Sequence, residues 1–264
     1  MLKLIDTHAH LDHLEDLDDA MSRASSSGVS NIIAVSEDLN SSKKNLNIKS
    51  KYIDPAISVA IGVHPSEANK VVIEDTVDFI KSNNDKICAI GEIGLDFWYK
   101  WVRKDFEQKD IQIKVFEILL QLAKEYDLPV VVHSRGAWKE CFDLVKTMDI
   151  KKAEFHWYSG PIDVLDKILE HGYYVSATPS IVYSKEARIA IKHAPIEQIM
   201  IETDTPVYYR MRGSYAEEKG IENFQSEPKD VFVTLNAYCD LKKIDVNQGA
   251  EILNNNAKKF FNIV

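Results

Sequence analysis

The sequence predicts an α/β fold, a closed (β/α)8 or TIM barrel, and three observations carry that reading. The chain has 264 residues, close to the roughly 250 common for one such barrel. Eight short apolar runs alternate with longer amphipathic segments. An open doubly wound sheet would carry a glycine-rich phosphate loop after its first strand. Here that turn reads Asp6-Thr7-His8-Ala9-His10. Residues 1–264 are therefore expected to form a single domain.

The candidate strands, in order, are residues 2–5, 31–35, 57–63, 87–90, 129–132, 153–155, 173–177 and 198–201. They are short and β-branched, as parallel strands covered on both faces should be. Between them the spacing turns helical. In residues 106–126, Ile111, Val115, Ile118, Leu119, Leu122 and Ala123 recur at intervals of three and four, and Ile162, Leu165, Ile168 and Leu169 repeat the pattern. Pro161, after Gly160, stands at a helix start where proline is tolerated. Residues 247–261 are expected to form the last outer helix.

Composition narrows the setting. Three scattered cysteines, Cys88, Cys141 and Cys239, give no disulfide framework and favour a reducing compartment. The opening MLKLIDTHAHLD lacks the apolar core of a secretory leader, and no stretch approaches the ~18 apolar residues of a spanning helix. A cytoplasmic protein with no membrane contact is expected. The net charge of −9 supplies no basic face for bulk attraction to nucleic acid.

The chemistry lies where the strands end. His8 and His10 close the first run, His64 the third, Glu92 the fourth, His133 the fifth, His156 the sixth and Asp204 the eighth. Carboxyl-terminal strand ends form the active face of such a barrel. Five of the eight histidines fall there, and chance scatter would send many to helix surfaces. The strand period of two points His8 and His10 the same way and pairs Glu202 with Asp204. Buried imidazoles and carboxylates are costly to desolvate unless a cation is shared among them. One ion could take His8, His10 and Asp204, a second His133 and His156, with Glu92 as bridge. Nitrogen and oxygen donors without thiolate suit zinc, manganese, nickel or iron, with magnesium the all-oxygen outlier. Two divalent cations side by side are the machinery of hydrolysis. His13, His171 and His193 are expected in solvent.

These segments resemble a known family, the TatD-type metal-dependent deoxyribonucleases of the amidohydrolase superfamily. The matching pieces are Ile5-Asp6-Thr7-His8-Ala9-His10-Leu11-Asp12, Gly62-Val63-His64-Pro65, Gly91-Glu92-Ile93-Gly94-Leu95-Asp96, Pro129 through Arg135, Phe155 through Gly160, and Ile201-Glu202-Thr203-Asp204-Thr205-Pro206. They run in family order across nearly the whole chain. The resemblance implies a TIM barrel with one or two cations that hydrolyses DNA ends, as a 3′-to-5′ exonuclease or end-processing enzyme. It further implies that His8, His10, Asp204, Glu92, His133 and His156 are ligands. Asp204 would also act as general base, and His64 would contact substrate. Glu92 stands where carbamylated-lysine relatives carry lysine, which favours the TatD-type branch. A compact Arg-Asn-x-Pro usual in the last loop is missing; the region reads Arg210-Met211-Arg212, then Asn223 to Pro228.

On the substrate side, Arg135 is placed either to meet a phosphate or to pair with a rim acid. The loop Asp96-Phe97-Trp98-Tyr99-Lys100-Trp101 offers rings for base stacking or for covering the rim. Asp6, Asp12 and Asp96 are expected to orient ligand imidazoles. With so acidic a chain, DNA contact rests on the cations plus Lys100, Arg103, Lys104, Arg135, Arg210 and Arg212, which predicts a small footprint at DNA ends and a shallow salt slope. No obligate protein partner is expected. Two other readings keep the barrel: a dinuclear enzyme for a small ester, amide or phosphate ester, and a binding protein without turnover.

Overall fold

The computed structural model describes residues 2–263. Eight parallel strands hydrogen-bond in sequence order: β1 (Leu4–Ala9), β2 (Val29–Val35), β3 (Ala56–Ile61), β4 (Ala89–Gly94), β5 (Val130–His133), β6 (Ala153–Phe155), β7 (Tyr174–Ala177) and β8 (Ile199–Ile201). Seven helices alternate with them: α1 (Leu17–Ser27), α2 (Leu39–Lys51), α3 (Ile73–Asn83), α4 (Phe106–Glu125), α5 (Trp138–Thr147), α6 (Ile162–Glu170) and α7 (Lys185–His193). The sheet closes just past the end of β8, where Ala9 pairs in parallel with Thr205. This is the (β/α)8 barrel expected.

β1 and β4 each run four residues past the apolar runs that announce them. β1 reaches Ala9 and β4 reaches Gly94, so His8 and Glu92 lie inside strands. An apolar-run reading stops at the first polar residue. These polar side chains face one another in the barrel, so they do not end the strand. After β8 the chain is also more elaborate than one last helix. A two-stranded ribbon of β9 (Tyr208–Tyr209) and β10 (Phe224–Gln225) flanks the short α8 (Ser214–Lys219). Two helices follow, α9 (Val231–Lys242) and α10 (Val246–Phe261).

Helix starts are fixed locally. The Asp38 carboxylate caps α2 by accepting from Ser41 N–H at 2.7 Å, and Asp105 and Asp245 cap α4 and α10 in the same manner. The main core lies between strands and helices and includes Leu4, Ile32, Phe116, Leu119 and Phe155, all fully buried. A smaller cluster joins Ile5, Ile33, Ala60, Ala89, Val131 and Met200, from six strands, to Phe260 and Phe261 of α10. With their apolar faces so packed, the strands are rigid supports for whatever projects from their ends.

Candidate metal centre

The barrel seam brings the first group of donors together. Asp204 N–H donates to the His8 carbonyl at 3.0 Å, and His10 N–H to the Thr205 carbonyl at 2.9 Å. Residues nearly two hundred positions apart in sequence are thus backbone neighbours. The Nε2 atoms of His8 and His10 lie 3.5 and 3.4 Å from Asp204 Oδ1. Asp204 sits in the left-handed region with φ of 50°, which aspartate tolerates better than most residues.

Glu92 joins this group to a second. Its Oε2 is 3.3 Å from His8 Nε2 and 3.5 Å from His10 Nε2. Its Oε1 is 2.6 Å from His133 Nδ1, 2.8 Å from His156 Nε2 and 3.7 Å from His64 Nε2. One buried carboxylate therefore turns each oxygen toward a different set of imidazoles. The remaining ring nitrogens of the second set have carboxylate partners: His133 Nε2 meets Asp96 at 2.9 Å, and His156 Nδ1 meets Glu202 at 3.3 Å. Such partners fix the ring and its tautomer.

Charge is balanced inside this cluster by protons where no cation is present. Burial opposes ionisation of Glu92, yet the charge of His156 and the His133 hydrogen bond hold it well below the usual carboxylate range. Burial likewise opposes charging His156, but Glu92 and Glu202 push it well above an ordinary imidazole. His10, also buried, is raised to about 9 by its Asp204 hydrogen bond and by Asp204 and Glu92 charge.

Do these residues fit a divalent cation? Both ring nitrogens of His8 and Nδ1 of His10 are buried without a hydrogen-bond partner. Three sets have donor atoms within 4.8 Å of one another: His8 with His10 and Glu92, His8 with His156 and Glu202, and His64 with Glu92 and His133. Orphaned imidazole nitrogens next to ionised carboxylates are what a cation would satisfy. The fit is good.

A titration follows from His10. In metal-free protein its raised value stabilises the fold fully below the ordinary imidazole range, and that contribution is lost as pH rises through about 9. A cation competes with the same proton. Divalent-metal binding at pH 7 should therefore release protons, and apparent affinity should rise with pH until about 9. Calorimetry in buffers of different ionisation enthalpy measures the release; a buffer-independent heat would contradict it.

His64 is geometrically close enough to be a donor, but its tautomer points elsewhere. Its Nδ1 lies 3.1 Å from Ser66 N–H. A backbone N–H can only donate, so the neutral ring carries its proton on Nε2. Burial holds that ring neutral, with its value lowered to about 4.

Of the acids expected to orient imidazoles, Asp96 does so. Asp6 instead accepts from Thr203 N–H and Oγ1, and Asp12 lies 3.7 Å from His13 and Lys44. Arg135 pairs with the buried Asp96, its Nε and Nη2 at 2.8 and 2.7 Å, while its guanidinium stays half-exposed. Arg210 is exposed and Arg212 lies over the Tyr183 ring at 5.8 Å; neither lines the mouth. His13 is exposed, as expected of it, yet it also stacks on His10 at 5.6 Å and pairs with Glu37 at 3.1 Å. His171 and His193 are exposed, as expected of them. The sequence reading passed over Glu37, although it stands two residues past β2, where the strand-end rule would have found it.

A mouth cavity of about 600 Å³ is lined by His10, His64, Glu92, His133, His156 and Asp204 among others. A second cavity, about 570 Å³, is lined by lysines, aspartates and apolar side chains and contains no histidine.

A profile described as TatD related DNase matches residues 5–262. The chain belongs to the TatD-related DNase family. Human deoxyribonuclease TATDN3 is 30% identical over 98% of this chain and 94% of its own. The Bacillus subtilis metal-dependent hydrolase YabD is 30% identical over 98% and 99%. Among solved structures, YJJV from Escherichia coli, a TATD homolog, superposes with a TM-score of 0.87 at 25% identity, covering 100% of this chain and 99% of that one. This TatD-type chain is accordingly a metal-dependent hydrolase. No helix among the described residues is long and apolar enough to cross a membrane.

Proposed function

We propose that this TatD-type protein hydrolyses phosphodiester bonds at DNA ends, as a 3′-to-5′ exonuclease or end-processing enzyme. The observation that carries this reading is Glu92, whose two oxygens face separate imidazole groups. His8, His10 and Asp204 would hold one divalent cation and His133 with His156 a second, Glu92 reaching both. Zinc, manganese, magnesium, nickel or iron would each find nitrogen and oxygen donors here. When bound, such cations acidify water and polarise a phosphodiester oxygen.

The chain's own groups supply the rest. Burial opposes charge on Asp204, but the His10 hydrogen bond and the charges of His8 and His156 keep it ionised. It is thus able to accept the proton of an attacking water. His64 Nε2–H donates to a phosphate oxygen, since Ser66 occupies Nδ1. Arg135, half-exposed above Asp96, presents a cation to the neighbouring phosphate. The human relative's name, deoxyribonuclease, supports DNA as substrate.

One observation favours the alternative of a small ester, amide or phosphate ester: neither Arg210 nor Arg212 lines the mouth of this acidic chain. Labelled single- and double-stranded DNA, offered to chelator-stripped protein with each cation in turn, separates the two. Cleavage should vanish on stripping and return with metal. Turnover of chromogenic esters that DNA fails to inhibit would favour the small substrate.

A further inference from the structure

We propose that Tyr99 and Trp101 form a nucleobase-stacking platform on the rim of the mouth, taking the base of a nucleotide beside the scissile phosphate. The proposal rests on the DNA-hydrolase reading and adds to it the residues that contact the base. Tyr99 lines the mouth cavity together with Glu92 and His133. The Trp101 ring stacks on it, with centroids 5.6 Å apart and planes 19° from parallel. The Arg135 guanidinium lies over the same Tyr99 ring at 4.8 Å.

The loop is fixed to the metal centre. Asp96 Oδ1 accepts from Trp98 N–H at 2.9 Å and Tyr99 N–H at 3.2 Å, while Oδ2 meets His133 at 2.9 Å and Arg135 at 2.8 Å. One carboxylate thus ties the platform to an imidazole that faces Glu92. Val102, fully buried, anchors the far end, and its N–H donates to the Tyr99 carbonyl at 3.0 Å. Rings that only covered the rim would be buried by it, yet Trp101 is 42% and Trp98 63% exposed. Every base has a π-face, so such a surface binds bases without reading sequence. Lys100, Arg103 and Lys104 of the same loop have no carboxylate within 4.0 Å among the described residues. In a chain of net charge −9 they leave a local positive edge suited to the adjoining phosphates.

The test compares wild type with Trp101→Ala on a thymidylate oligomer and on methyl p-nitrophenyl phosphate, a phosphodiester without a base. Selectivity, the ratio of kcat/KM on the oligomer to that on the small diester, should fall on the order of tenfold. The loss should appear in KM, and Trp101→Phe should restore most of it. Turnover of the small diester by the same preparation reports that the variant is folded. If wild type cleaves the oligomer and selectivity is unchanged in Trp101→Ala, the platform is refuted and the nuclease reading stands. If wild type turns over the small diester but no DNA, the nuclease reading fails, and the platform with it.

Discussion

Glu92→Gln is expected to lower hydrolysis by about three orders of magnitude, equivalent to roughly 4 kcal/mol of transition-state stabilisation. The amide keeps the shape of the side chain but removes its charge. It also replaces one of the two acceptor oxygens with a donor. His133 Nδ1 at 2.6 Å, His156 Nε2 at 2.8 Å and His8 Nε2 at 3.3 Å would then face an uncharged group. Two effects should be measured separately. Metal content of the purified variant, read by mass spectrometry, should fall below that of wild type, because the carboxylate shared by both imidazole sets is gone. Activity should stay low even with excess cation. A variant with full metal content and near-normal turnover would remove Glu92 from the centre of the chemistry.

Asp6→Ala should cost stability on the order of 3 kcal/mol, since buried donors left without an acceptor cost about 1–3 kcal/mol each. Asp6 is fully buried and accepts from Thr203 N–H at 2.9 Å and Thr203 Oγ1 at 2.6 Å. It thereby ties β1 to the segment that carries Asp204. For a chain of this size the melting midpoint should fall roughly 8 °C. Burial, outweighing its hydrogen bonds from Thr203 and His8, raises the Asp6 carboxyl well above its ordinary value. A neutral amide should therefore be tolerated, and Asp6→Asn should lose less than about 1 kcal/mol. Thermal denaturation of both variants decides this; equal losses would mean that the charge, not the acceptor, holds the seam.

Much of the centre could be read from strand positions. His8, Glu92 and His133 fall within or at the ends of strands, and His64, His156 and Asp204 follow within three residues. A barrel sends such residues to one face. Other features gave no such signal. His13 belongs to a single 3-10 turn, Leu11–His13, and its spacing gave no hint that the ring would fold back onto His10. Asp6 shares a strand face with His8 in the period-two reading, yet its partner is Thr203, from across the seam. Glu154 is fully buried beside Glu202, His156 and Ser176; nothing in its sequence neighbourhood marks it. The excursion of β9, α8 and β10 escaped for a plainer reason: two-residue strands and a six-residue helix are too short to set a hydrophobic period.

The sequence by itself determined the barrel and the order in which donors arrive at its mouth. Alternating apolar runs and helical stripes are local properties, and family motifs are contiguous. Only the tertiary structure decided which atoms meet. Closure at Ala9 and Thr205 set His8 and His10 against Asp204, and the reach of β4 turned one Glu92 oxygen to each imidazole group. Those distances depend on pairing between strands far apart in the chain, and periodicity along one strand carries no information about its register with another.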